Sequence, residues 1–275
     1  MTATDSLSPL QKTLLITLTG RALDTRKERP ILGDRLAARV CGRLGSDVGV
    51  VKVPSSVTLA TALRSAMLDR AVRDFIAAHP NAVVVELGCG LETRMHRVAP
   101  PPAVDWYDVD FANVIELRRR VLPELSRTHL IAASLADPKW LRSIPTDRPV
   151  IAVADGVVGL LSEAENGRLL AGLSDHFQVG GEFVFNAYTK LAARLMGSVG
   201  VLRAVGIPKG YRGFGFDDPR ELERLAPRMT FVDQRTGVQA PEVANLPWGT
   251  RITAKLFARW PAQARRGVWI LRYRW

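Results

Sequence analysis

Cysteine is scarce in this chain of 275 residues: only Cys41 and Cys89 are present, too few for a disulfide framework and without metal-ligand spacing. A stapled secreted domain is therefore excluded, no metal centre is expected, and a reducing, cytoplasmic setting fits. Long apolar runs are missing as well. The longest, VIAVADGVVGLL at 150–161, carries Asp155 in its middle and falls far short of the roughly 20 residues a membrane span needs. No membrane partner is expected on that ground. The opening MTATDSLSPLQKTLLITLTG has no basic leader before its apolar patch, which makes it a poor export signal. Internal repeats and low-complexity tracts are also absent, so neither a solenoid nor a disordered tail is in prospect. What remains, with 47% apolar and 24% charged residues, is an ordinary globular composition, long enough for one large α/β domain or two small ones sharing a cleft.

Acidic residues are in deficit, and the formal net charge is +11. Such a balance attracts anions at long range and says nothing about fold. The tightest basic run, Arg118, Arg119 and Arg120, falls in a helical pattern and reads as a solvated face rather than a nucleic-acid-binding arm. Helical apolar spacing covers 7–24, 33–44 and 57–78, with Leu59, Leu63, Met67 and Ala71 on one face. From Ala82 short β-branched runs alternate with helices: strands at 82–87, 103–109, 128–133, 149–154 and 182–187, helices from 91, at 111–122, near 138–143 and at 162–177. That alternation predicts a doubly wound parallel sheet. A helical stretch after Phe185, a Gly-rich turn KGYRGFGF, a helix near DDPRELERL and two last strands, around MTFVDQ and RGVWILRYRW, complete the chain. Residues 1–80 are expected to form a helical cap and 81–275 the sheet domain, with an insertion at about 188–226 contributing to a lid.

In a doubly wound sheet the ligand lies at the carboxyl ends of the strands. The first such turn reads VVVELGCGLETR, residues 83–94. Gly88 and Gly90 occupy the first two glycine places of a dinucleotide fingerprint, letting a ligand approach backbone N–H groups without meeting a Cβ. Thr93 takes the third place, which disfavours a pyrophosphate. The second strand ends WYDVD, placing Asp110 at about the 20-residue spacing where a carboxylate accepts hydrogen bonds from a ribose diol. Asp108 shares its sheet face and either orients Asp110 or meets solvent; the competing reading makes one of them only a helix N-cap. Glu86, Asp110, Ser134 and Asp155 mark the carboxyl ends of four neighbouring strands and are candidate cofactor contacts, with Gly88 and Gly90. Ser134 is suited to an adenine edge and Leu135 to its face. Asp155 before Gly156 suits an ammonium group, or simply caps its turn.

These residues resemble a known family, the S-adenosylmethionine-dependent methyltransferases of the leucine carboxyl methyltransferase superfamily, in the branch that includes tetracenomycin polyketide O-methyltransferases. The likeness runs from LLITLTGRALDTRKERPILGDRLAARV through LRSAMLDRAVRDFI, VVELGCGLETRMHRV, WYDVDFANVIELRRRVLPE, IAASLADPKWL and VADGVVGLL to DDPRELERL, with G-L-E-T-R-x-x-R the most distinctive segment. It implies a Rossmann-like class I methyltransferase fold: a seven-stranded, mostly parallel sheet with helices on both faces and an N-terminal helical cap. By position it implies that Arg64 meets the methionine carboxylate of S-adenosyl-L-methionine, Gly88 lies on the cofactor loop, Asp110 binds the ribose, Ser134 and Leu135 flank the adenine, and Asp155 sits near the methionine amino group. The alternative for Arg64 is a surface pair with Asp69. Two positions depart from the family pattern: Leu160 replaces a tyrosine and Asn186 an aspartate.

Methyl transfer from a sulfonium is an in-line displacement that chiefly requires alignment. A carboxylate acceptor is already ionised at neutral pH, whereas a phenol calls for a base. His79, His96, His129 and His176 are weak candidates for that base; Tyr188, just past the fifth strand, is a candidate substrate contact. Cys89 reads as a small buried loop residue, not a nucleophile. The expected activity is O-methylation of a small acidic or phenolic molecule. The alternatives are methylation of a protein C-terminal carboxyl and, from the charge, nucleic-acid binding or modification. The place after the fourth strand reads ADGV instead of the N-P-P-Y-like motif common in base methyltransferases, and stacking aromatics are not clustered.

Overall fold

A computed structural model describes residues 4–45, 51–246 and 248–275. One seven-stranded sheet runs through it: β1 (Val83–Leu87), β2 (Asp105–Asp110), β3 (Thr128–Ala132), β4 (Val150–Ala154), β5 (Gly181–Asn186), β6 (Thr230–Thr236) and β7 (Trp269–Arg274). Their order is β3-β2-β1-β4-β5-β7-β6, with the first five parallel and β7 antiparallel to both its neighbours. The chain moves outward from β1 to β3, then crosses back to β4. That reversal opens a crevice between the carboxyl ends of β1 and β4. Both of these strands, VVVEL and VIAVA, are buried throughout, because helices cover the two faces of the sheet.

Among the helices are α1 (Thr13–Asp24), α2 (Arg35–Leu44), α3 (Ser55–Ala78), α4 (Arg94–Val98), α5 (Ala112–Val121) and α6 (Glu163–His176). On one face Leu169, Leu170 and Leu173 of α6 share a core with Val83, Val85, Ala152 and Phe183. The other face belongs to α3, whose Leu68, Val72 and Phe75 pack with Val84, Ile151, Val153 and Val184. Helices α1 and α2 meet α5 in a third cluster, built on Leu18, Val40, Val114 and Leu117. The capping box expected of a well-started helix is present at Ser162 and Glu165, which fixes the first turn of α6.

The continuous helix anticipated after β5 is broken into α7 (Lys190–Arg194), a 3-10 turn at Met196–Ser198 and α8 (Gly200–Ala204). Gly197 explains the break: a Cβ there would lie 2.5 Å from the Lys209 carbonyl oxygen, so two backbones touch at that point. Main-chain bonds then tie the insertion down, Gly213 N–H to the Ala193 carbonyl (2.9 Å) and Phe214 N–H to that of Gly159 (3.0 Å). A short α9 (Glu221–Leu225) precedes β6. Between β6 and β7 stand two helices that the sequence pattern did not announce, α10 (Trp248–Phe257) and α11 (Pro261–Ala264). Asn186 pairs with Ile270 and Thr236 with Trp269, so the insertion between β6 and β7 leaves and rejoins the sheet at the carboxyl end of β5, the edge that carries the crevice; the insertion after β5 leaves from that same edge and returns to the opposite one, where Thr230 and Glu182 both pair with Arg274.

Candidate cofactor site

The glycine turn after β1 takes a shape that side chains oppose. Gly88 (φ +62°) and Gly90 (φ +45°) are both left-handed, and a Cβ on Gly88 would come within 2.5 Å of Val157 Cγ2, in the loop after β4. Asp110 closes the turn from the neighbouring strand: one carboxylate oxygen accepts from Gly90 N–H (2.8 Å), the other from Phe111 N–H (2.7 Å). Burial raises the Asp110 pKa, with the two N–H groups opposing. Next to it the Phe111 ring is 44% exposed. Nothing in the chain's pattern singles out Phe111, since a lone aromatic before a helix reads as a helix start. After β3, Ala133 N–H donates to the Asp110 carbonyl (2.8 Å), the Ser134 hydroxyl accepts from Ala136 N–H (3.3 Å), and Leu135 is buried.

The loop after β4 brings opposite charges together. Arg64, from α3, forms an ion pair with Asp155, and the Ser65 hydroxyl donates to the other Asp155 oxygen (3.3 Å). The two groups are close enough to pair, yet neither Arg64 Nε nor Asp155 Oδ1 makes a well-aligned hydrogen bond. Burial works against the Arg64 charge, but Asp155, Tyr188 and Glu92 outweigh it and hold the guanidinium above its ordinary pKa. Arg64 thus meets Asp155 across the crevice, while Asp69, the partner expected of a surface pair, is engaged elsewhere. Gly156 (φ +78°) donates its N–H to the Asn186 side-chain carbonyl (2.5 Å), so the amide at this departure from the family pattern anchors the loop. Tyr188 lies against Gly159, where a Cβ would stand 2.6 Å from its ring.

Beneath the glycine turn, the G-L-E-T-R-x-x-R segment is spent on buried ion pairs. Arg94 bonds Glu86 (2.9 Å) and Asp69 (2.6 Å); Arg97 bonds Asp69 (2.7 Å) and Asp34 (2.9 Å). Arg21 of α1 reaches Glu92 (2.9 Å), Asp34 (3.1 Å) and the Leu91 carbonyl (2.8 Å). Three helices are thereby clamped to the turn. Glu86 belongs to this clamp and is 2% exposed, so the structure places it under the loop rather than beside the other strand-end residues. Burial pushes its pKa up to about 7, against the pull of Arg94. Glu92 is likewise penalised by burial, yet Arg21, Arg97 and Arg94 hold it well below the usual carboxylate range.

The basic run read as a solvated face requires correction at Arg118. Arg119 and Arg120 are exposed, but Arg118 is buried, paired with Asp108 (2.6 Å) and donating to the Glu92 (2.6 Å) and Gly90 (3.2 Å) carbonyls. Asp108 is fully buried and acts on the turn through Arg118. Cys89 is buried in the same place, and burial holds its thiol protonated.

The histidines take no part in this arrangement. His79 packs on Phe75 (4.6 Å between rings), His129 stacks on Tyr107 (4.5 Å), and the His176 ring lies 3.1 Å from the Ile144 carbonyl. His96 is lowered by partial burial and by Arg118; its other charged neighbours are Asp108, Asp34 and Arg97, all in the clamp. Among the described residues no group of three or more His, Cys, Asp or Glu could hold a metal ion.

Comparison with known proteins places this geometry. The family model for leucine carboxyl methyltransferases matches residues 14–174. A tetracenomycin polyketide synthesis O-methyltransferase of Streptomyces glaucescens is 33% identical over 273 residues, covering 99% of this chain and 97% of that protein. An S-adenosyl-L-methionine-dependent methyltransferase of Gibberella zeae is 32% identical over 249 residues, 83% of each chain. In fold the chain is similar to geranyl diphosphate C-methyltransferase from Streptomyces coelicolor A3(2), solved with S-adenosyl-L-homocysteine, at a TM-score of 0.50 and 13% identity over 97% of this chain and 98% of that one.

Proposed function

The chain belongs to the leucine carboxyl methyltransferase family and is an S-adenosyl-L-methionine-dependent methyltransferase of class I fold; from that premise we propose that it methylates an oxygen, the carboxylate of a small polyketide-like or aromatic acid. The residues present fit the cofactor. Its methionine end is a zwitterion, and the crevice offers Arg64 to a carboxylate and Asp155 to an ammonium; the buried atoms Arg64 Nε and Asp155 Oδ1 have no aligned hydrogen bond, while Asp155 Oδ2 accepts a long one (3.3 Å) from Ser65. Its nucleoside end suits Asp110 at the sugar, with Phe111, Ser134 and Leu135 at the base. Gly88 and Gly90 bring backbone N–H groups close without a Cβ in the way.

When bound, the cofactor would supply an electrophilic methyl group to the acceptor oxygen, with the thioether S-adenosylhomocysteine as the leaving group. For the protein the work is to align and to exclude water. The insertion that begins at Tyr188 is tied to the loop after β4 by the Phe214 N–H bond to the Gly159 carbonyl, and the Tyr188 ring packs on Gly159. The observation that carries the carboxylate reading is the placement of the four histidines. Three are engaged elsewhere, and the fourth sits in the clamp under the loop. An acid with a pKa near 4 needs no base, whereas a phenol near 10 does. The test is transfer of labelled methyl from S-adenosylmethionine to matched pairs of polycyclic aromatic acids and phenols. The expected result is transfer to the acid with a rate nearly flat from pH 6 to 9; transfer to the phenol alone, rising with pH, overturns the carboxylate assignment.

A further inference from the structure

The net charge of +11 is not spread evenly over the fold. Residues 183–216 hold five Lys or Arg and no Asp or Glu, and residues 243–268 hold another five and again no acid. The first window covers the end of β5 and the part of the following insertion that leaves the carboxyl edge, before the acids at Asp217, Asp218, Glu221 and Glu223; the second covers most of the insertion between β6 and β7, which leaves and rejoins the sheet at that edge. They meet at Asp217, whose side chain accepts from Lys190 N–H (3.2 Å) and whose carbonyl accepts from Arg265 (3.0 Å). Both also lie beyond the segment that matches the family model.

The same two insertions carry six of the nine large apolar side chains that stand exposed among the described residues. Leu191, Leu195 and Val199 recur at four-residue intervals along one; on the other, Trp248 is 75% exposed and Trp260 55%, with Ile252 one turn after Trp248. Arg251 and Arg259 are exposed beside them. Tryptophan and aliphatic side chains interleaved with arginine make the surface that settles at a lipid headgroup boundary, the indole and alkyl groups entering the acyl region while the cations meet anionic headgroups. Nucleic acid would match the charge but not Leu191, Leu195, Val199 and Ile252, which cannot stack on a base.

We propose that this rim docks on an anionic bilayer surface and holds the mouth of the crevice against it. Among the described residues no helix is long and apolar enough to cross a membrane, and lying on a bilayer surface requires none. A membrane-facing mouth suits an amphiphilic acid that partitions into the headgroup layer. The docking itself does not depend on which atom is methylated.

The full chain is mixed at physiological ionic strength with vesicles of phosphatidylcholine, alone or with roughly one third phosphatidylglycerol, and the vesicles are pelleted. The protein is expected to pellet with the anionic vesicles and to stay in solution with the neutral ones. Trp248→Ala with Trp260→Ala, and separately Arg251→Glu with Arg259→Glu, are each expected to lower partitioning by at least about tenfold. Calorimetric affinity for S-adenosylmethionine, expected unchanged in both, shows that the variants are folded; if one pair misfolds, the other decides. Wild-type protein that stays in solution with both vesicles overturns the proposal. So does a folded tryptophan variant that pellets as well as the wild type, because bare charge then explains the binding. Binding of single-stranded RNA at the same salt without any pelleting would assign the rim to nucleic acid instead.

Discussion

Two loops face each other across the crevice and are held in opposite ways. The turn after β1 is fixed from below by Arg94, Arg97, Arg21 and Arg118, each with two or more well-formed hydrogen bonds to buried carboxylates or carbonyls. Across from it, the loop after β4 is held by fewer charges: Asp155 pairs with Arg64 and lies 3.6 Å from Arg94 Nη2, Ser65 adds a 3.3 Å bond, the Asn186 side chain anchors Gly156, and Phe214 N–H reaches the Gly159 carbonyl (3.0 Å). A buried charge held by several hydrogen bonds is costly to remove, even where one nitrogen, as Arg94 Nη2, has no hydrogen-bond partner. One that is paired but poorly aligned is ready to take another partner. In the proposed binding mode, the rigid turn would meet the nucleoside end of the cofactor and the exchangeable pair its methionine end.

Substitutions that remove one clamp or one exchangeable group break that comparison most directly. Arg94→Met strands Glu86 in the interior and leaves Asp69 with Arg97 alone; it is expected to cost about 3–5 kcal/mol of stability, read from urea unfolding, and a cost under about 1 kcal/mol would mean the clamp is not structural. The raised pKa of Glu86 gives a pH signature of the same clamp. Its contribution is fully present below the unfolded value of 4.5 and is lost as pH rises through about 7. The stability gap between the wild type and Glu86→Gln is therefore expected to shrink between pH 5 and 8, by on the order of 2 kcal/mol. A gap that widens with pH reverses the sign and removes Glu86 from the clamp's energetics.

Arg64→Met should do the converse of Arg94→Met. Cofactor affinity by calorimetry is expected to fall about tenfold or more, while the unfolding midpoint drops less than in Arg94→Met. Asp110→Ala is expected to lower affinity by a similar factor through the sugar, and undiminished binding would refute its role. The smallest expected effect is that of Asn186→Ala, which leaves Gly156 N–H without its acceptor and costs about 1 kcal/mol. A hydrogen-exchange experiment should then show faster exchange at Gly156 and none of that change in the turn after β1.

Much of the scaffold was legible beforehand, because parallel strands buried on both faces leave continuous β-branched runs such as VVVEL, and alternation with amphipathic helices leaves few other folds. The positions of Asp110 and Asp155 followed from the same logic, since strand ends are where a parallel sheet meets its ligand. Helix limits failed where backbones touch, as at Gly197, for the glycine marks a contact between segments that local periodicity does not encode.

What the linear order could not decide was which charges face water. Arg118 and Arg119 are neighbours of identical chemistry, and only the angle of α5 against β2 makes one a buried anchor of the glycine turn and the other a solvated side chain. The G-L-E-T-R-x-x-R segment stood out as a pattern, yet its partners Arg21, Asp34 and Asp69 come from three helices distant in the chain. Sequence alone determined the sheet, its strand-end acids and the excess of positive charge. Tertiary packing decided which of those charges became a clamp, which an exchangeable pair and which an exposed rim, because burial and pairing are properties of neighbours in space.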